Sequence, residues 1–122
     1  MINIVAVFLG GGLGSLMRYG ISKMVLTFYE GNFPLGTFIS NIISCIVLAL
    51  VVLYTKKMVD SDVLKLFLVT GICGGFSTFS TFSFETFSLL KTGNYSMAII
   101  NIVLSVAVGV GLIFILLKNQ HS

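Results

Sequence analysis

Four stretches of this chain, about residues 2–28, 34–54, 63–90 and 95–117, are apolar almost throughout. A bilayer core is crossed by about 20 apolar residues in a helix, so each stretch is long enough to span. In lipid every peptide group must find its partner inside the segment, and an α-helix achieves this without help from neighbours. Charged residues make up only 9% of the 122, against about 25% in soluble domains, too few to build a wet shell. The expected fold is therefore an all-α membrane protein, a single transmembrane domain over residues 1–122 with four transmembrane helices.

The connectors carry the turn residues. Glu30-Gly31-Asn32 precedes Pro34, the only proline, which suits the start of a helix because its missing N–H is not needed there. Residues 56–62 form the second connector and Lys91-Thr92-Gly93-Asn94 the third. The N-terminus has no positive region of the kind that precedes a cleaved signal, so the first stretch is expected to remain as a span. The net charge of +3 comes from scattered basic residues and makes no nucleic-acid stripe. The single His121 rules out a histidine-based centre, and Cys45 and Cys73, in apolar runs without CxxC spacing, read as small core residues. Function must lie within the membrane or at its faces.

Four spans put both termini and the second connector on one side. That side carries Lys56, Lys57, Lys65 and Lys118, and the other Arg18, Lys23 and Lys91. A four-to-three division gives the positive-inside rule little to act on. It fits insertion in both orientations, and it also fits a modest preference for termini inside.

The third stretch is unusual. Gly71 to Ser83 places glycines and hydroxyls near its middle, and glycine loosens a helix by about 1 kcal/mol relative to alanine. The Gly74-Gly75 pair followed by Ser and Thr predicts a helix broken at mid-membrane, as in many transporters. The alternative is an intact helix whose small residues pack and whose hydroxyls bond back to the preceding turn. Phe76, Phe79 and Phe82 recur every third residue among hydroxyls. Such a stripe is usually packing, yet ring edges are positive and, with hydroxyl donors, suit a small anion. Thr37 and Asn41 share one helix face, as do Asn101 and Ser105. Each alone reads as interhelical glue; three segments offering donors without a central carboxylate point to an anion path. Gly10-Gly11-Gly12-Leu13-Gly14-Ser15 has no strand before it and no Lys-Ser/Thr after it, so it reads as a helix-packing surface rather than a phosphate loop. Arg18 must snorkel, pair or line water, with Glu85 either its partner or a vestibule residue.

Taken together, Gly11-Gly12-Leu13-Gly14-Ser15-Leu16-Met17-Arg18-Tyr19, Pro34-Leu35-Gly36-Thr37 with Asn41, and Gly74-Gly75-Phe76-Ser77-Thr78-Phe79-Ser80-Thr81-Phe82 resemble the three signatures of the CrcB/Fluc fluoride channels. The match runs through the chain in order. The resemblance implies a passive fluoride channel in the cell membrane that exports fluoride and relieves its toxicity. It implies a dual-topology antiparallel dimer with two pores, a homodimer in the first place, although some members pair as heterodimers. It also implies pore residues Asn41, Phe79 and Phe82, with Thr37 and Ser105 as polar lining. Arg18 and Glu85 match family positions, as vestibule or structural polar groups. A structural sodium ion at the dimer interface would be held by the main-chain carbonyls of Gly74 and Ser77. Ser77 stands where the family usually has threonine, and Ser44 where a glycine commonly follows Asn41. Two other classes compete. A small multidrug exporter needs a membrane-embedded carboxylate, absent from the first stretch, for which Glu85 is the only stand-in. An accessory subunit held by glycine packing would carry no flux.

Overall fold

The structure is a computed structural model that describes residues 1–55 and 62–118. The second connector's Lys56 and Lys57, which enter the charge comparison, lie outside the described residues, as does His121. Helix α1 covers Ile2–Leu26 and α2 covers Leu35–Thr55. Pro34 sits one residue before α2, and its carbonyl accepts the first turn's bond from Phe38 at 3.1 Å. The third helical run begins as α3 (Asp62–Lys65), widens into a π-helix over Leu66–Cys73, and returns to α geometry in α4 (Gly74–Phe76). It resumes as α5 (Phe79–Lys91), and α6 covers Tyr95–Leu117. Among the described residues four helical runs are long and apolar enough to cross a membrane: Ile2–Leu26, Leu35–Tyr54, Val63–Lys91 and Tyr95–Leu117.

Lipid tails are as apolar as leucine, so these helices are not driven together by water. Close backbone approach has to supply the attraction instead. Helix α1 lies along the π-helical stretch and α4, and α2 lies along α6. The glycines of α1 serve that contact. A Cβ on Gly14 would overlap the Ile72 carbonyl, and one on Gly10 would overlap the Phe67 carbonyl and come within 2.9 Å of the Gly71 Cα. Across the interface, a Cβ on Gly75 would overlap the Gly11 carbonyl. The Gly10 to Ser15 run is thus a packing surface, as its sequence predicts.

The third run is interrupted, but not at its glycine pair. Gly74 is helical (φ −64°, ψ −36°), whereas Ser77 (φ −94°, ψ 151°) and Thr78 (φ −149°, ψ 122°) are extended. The expectation of a break at Gly74-Gly75 is corrected by three residues. Gly75 is there for its contact with α1. The chain leaves the helix where Thr78 can cap the next one, its Oγ1 accepting from the Thr81 amide at 3.3 Å. Threonine and serine do this because their hydroxyls compete with the backbone for bonds.

The outer faces of α1 and α6 are apolar and exposed, with Phe8, Leu16, Ile99, Val103 and Val110 among them, which suits lipid or protein cover. Adding a methyl at Gly14 should lower stability by about 1–3 kcal/mol through overpacking. Gly12 has nothing within 4 Å of its missing Cβ, so Gly12→Ala should be neutral or better. Thermal unfolding in detergent checks both: Gly14→Ala melting no lower than Gly12→Ala would contradict the packing account.

Candidate functional site

The break creates peptide groups that the helix cannot satisfy, and side chains from other helices meet them. The Thr78 amide, which in a continuous helix would donate to Gly74, donates instead to Asn41 Oδ1 of α2 at 3.2 Å. The Thr81 amide, which would donate to Ser77, is held by Thr78 Oγ1. The carbonyls of Gly74 and Ser77 are thereby both deprived of their helical donors. Gly75's carbonyl accepts from Arg18 Nε at 3.2 Å. Cys73's carbonyl collects three donors: the Ser77 amide at 3.1 Å, Ser77 Oγ at 2.9 Å and Ser44 Oγ at 3.1 Å. Arg18 therefore finds a main-chain partner at the break, which the choice between Glu85 and a vestibule did not foresee.

Beside the break is a cavity of about 470 Å³. It brings together Asn41, Phe79, Phe82 and Ser105 with Gly74 and Ser77, most of the residues singled out from sequence, and among the described residues no charged side chain lines it. Phe79 and Phe82 stand one turn apart with ring centroids 6.1 Å from each other, tilted by 38°. Phe76, the third member of the stripe, is buried in helix packing instead. With Asn41 Oδ1 committed to Thr78, the amide N–H pair is the part of that side chain left for a ligand.

A hydrogen-bonded chain ties the rings to α6. Ser105 Oγ donates to Asn101 Oδ1 (3.3 Å), Asn101 Nδ2 donates to Thr86 Oγ1 (2.9 Å), and Thr86 Oγ1 donates to the Phe82 carbonyl (2.8 Å). Asn101 is only 1% exposed, so it is the glue that its type suggests. Thr86 escaped the sequence reading, although its place four residues after Phe82 was the available signal.

Thr37 and Glu85 lie elsewhere. Both border a second cavity of about 580 Å³ at the end of the bundle, with Ser22 of α1 and Tyr29, Glu30 and Asn94 from the first and third connectors. Thr37 is buried and borders this cavity together with Glu85. Thr37 thus keeps the helix face it shares with Asn41 but opens on the neighbouring space. Among the described residues no group of three His, Cys, Asp or Glu could hold a metal. A hard cation here would draw on main-chain oxygens, and the Gly74 and Ser77 carbonyls fit that requirement.

Neutral donors, ring edges and an uncharged lining suit a small anion that must pass rather than stay. Comparison with known proteins agrees. Residues 5–117 match the family described as CrcB-like protein, Camphor Resistance (CrcB). A Pyrococcus abyssi protein named fluoride-specific ion channel FluC is 48% identical over 109 residues, covering 88% of this chain and 86% of that protein. Proteins of the same name from Clostridium perfringens (43% over 114 residues, 92% and 87% covered) and Chloroflexus aurantiacus (40% over 120 residues, 92% and 95%) are similar along nearly their whole length.

Proposed function

This chain belongs to the CrcB-like family, and from that we propose that it is a passive, fluoride-selective channel of the cell membrane that lets fluoride leave the cytoplasm and so limits its toxicity. The observation that carries the reading is the uncharged cavity that joins Asn41, Phe79, Phe82 and Ser105 beside the broken helix. Fluoride is small and strongly hydrated, so a path must replace its water with close donors. The Asn41 amide and neighbouring hydroxyls donate, and phenyl edges add weak attraction that does not trap the ion. HF crosses the bilayer as a neutral acid and ionises inside, so a conductor for the anion suffices, driven by the negative-inside potential. Proton-coupled drug export fits less well, because Glu85 borders the other cavity.

The break lies near mid-membrane. The chain works as an antiparallel, dual-topology homodimer, a state supported by the even charge division and by Phe79, a ring 80% exposed in the single chain. Gly74 and Ser77 would hold sodium through their carbonyls, whose helical donors are diverted. When bound, such an ion supplies a fixed positive charge close to the anion path. Arg18 acts structurally by capping Gly75, and Thr37 with Glu85 forms the vestibule.

Liposomes loaded with fluoride test the function directly. Wild-type protein should release fluoride without a proton gradient, while Phe79→Ile and Phe82→Ile should each slow release about tenfold or more, the equivalent of about 1.4 kcal/mol in barrier. Asn41→Asp should abolish it. Unchanged release in all three variants would remove these residues from the path.

Orientation can be forced with a pair of lysines added to the second connector or beside Gly93. Each variant alone should be inactive and the two together active; full activity of either alone would exclude the antiparallel dimer.

Sodium binding is tested at Gly74, where an added Cβ meets only the Val69 carbonyl, at 3.9 Å. Gly74→Val, whose Cβ has room, should lower flux and remove its dependence on sodium, whereas Ser77→Ala should retain both. Flux indifferent to sodium removal would rule the ion out.

A further inference from the structure

Two cysteines on neighbouring helical runs border the cavity. Cys45 and Cys73 both line it. They stand on helical runs held in register by a reciprocal pair: Ser44 Oγ donates to the Cys73 carbonyl at 3.1 Å, and Cys73 Sγ lies 3.8 Å from the Ser44 carbonyl. Cys45 follows Ser44 directly in α2, its Cα about 3.8 Å from the Ser44 Cα, so it stands at the level where the two runs touch. Cys45 Sγ is also 3.3 Å from the place a Cβ on Gly109 would occupy, so the missing side chain of α6 leaves it room. Neither cysteine is in a disulfide.

We propose that Cys45 and Cys73 form a two-thiol site for a soft monovalent cation of the Cu⁺ and Ag⁺ class, and that its occupation closes the path beside Asn41 and Phe82. The choice of cation follows from the ligands. Thiolates select soft metals. Zinc takes four ligands in a tetrahedron, and among the described residues no third His, Cys, Asp or Glu joins the pair. A two-coordinate cation needs no more than the two sulfurs. Once one thiol is bound the second is an intramolecular ligand, which raises affinity beyond that of either alone.

The charge balance explains the block. Two thiols and one monovalent cation give a bis-thiolate complex and two protons, which leave to water. The complex carries one net negative charge, in a cavity with no charged side chain. At about 4 Å and an effective dielectric near 20, a fixed negative charge opposes an anion by about 4 kcal/mol. Fluoride would be excluded by charge as well as by volume. This inference rests on the fluoride reading only for its consequence; the cation site stands on the thiols.

Silver nitrate is the probe, in chloride-free medium. Each protein's flux is read as a fraction of its own silver-free flux. Wild-type efflux should fall with silver and return with dithiothreitol, and Cys45→Ala or Cys73→Ala should each raise the silver concentration for half-block about tenfold or more. Thiol titration of the purified protein supplies a readout independent of flux: one silver ion per chain should mask both thiols at once. A chain that conducts no fluoride yet masks both thiols with one silver ion keeps the site and loses the fluoride reading. Silver masking the two thiols one by one, or a double-alanine variant blocked at the wild-type concentration, overturns the proposal.

Discussion

The hydrogen bond from the Thr78 amide to Asn41 Oδ1 is the interaction on which the site depends. A peptide group left bare in hydrocarbon costs several kcal/mol, so an interrupted helix survives in a membrane only where a neighbour supplies the missing partner. Asn41 does this from α2, and Thr78 itself does it for Thr81. Arg18 does it from α1, for Gly75. Three elements therefore converge on one break, and the cavity beside it is the space left by that convergence. Remove the α2 partner and the extended Ser77-Thr78 link has no compensation.

The convergence in turn requires backbones that can come close. Gly10 and Gly14 let α1 lie against the carbonyls of Phe67 and Ile72, and Gly75 meets the Gly11 carbonyl in the same seam. Without these contacts Arg18 could not reach Gly75. The glycine run and the arginine are thus parts of one device, the first setting the distance and the second using it. On the other flank, α6 is tied to α5 by the chain from Ser105 through Asn101 and Thr86 to the Phe82 carbonyl. A neutral hydrogen bond adds about 1 kcal/mol net, but a buried amide left unpaired costs more, so the register of α5 against α6 is sharply defined.

Much of this is legible in the sequence, because membrane spans obey a length rule and small residues betray packing. The four spans agree with the helices to within about two residues at their ends. Asn41, Phe79, Phe82 and Ser105 do border one cavity. What could not be read is which main-chain group each polar side chain would serve. Glycine content pointed to Gly74-Gly75 as the break. The break went to Ser77-Thr78 because a capping hydroxyl can end one helix and start another, while glycines in close contact stay helical. Arg18 offered only charges as partners, although a carbonyl freed by a break competes well in a medium without water. Thr37 was grouped with Asn41 by spacing, yet one helical turn was enough to move it to another cavity beside Glu85.

That separation of charge from the cavity has a physical reason. A lysine or arginine about 4 Å from a passing anion would attract it by about 4 kcal/mol at an effective dielectric near 20. Each 1.36 kcal/mol slows escape tenfold, so a bare cation would hold the ion for about a thousandfold longer. A neutral donor is worth about 0.5–1.5 kcal/mol net, enough to offset part of the lost hydration and little enough to release the ion. Arg18 is anchored on a carbonyl and does not border the cavity, while Glu85 borders the other cavity beside Thr37. The donors of the lining are an amide and hydroxyls beside the rings of Phe79 and Phe82, whose separate attractions are each weak. Conduction follows from that weakness, and the broken helix is what allows so many weak donors to face one space.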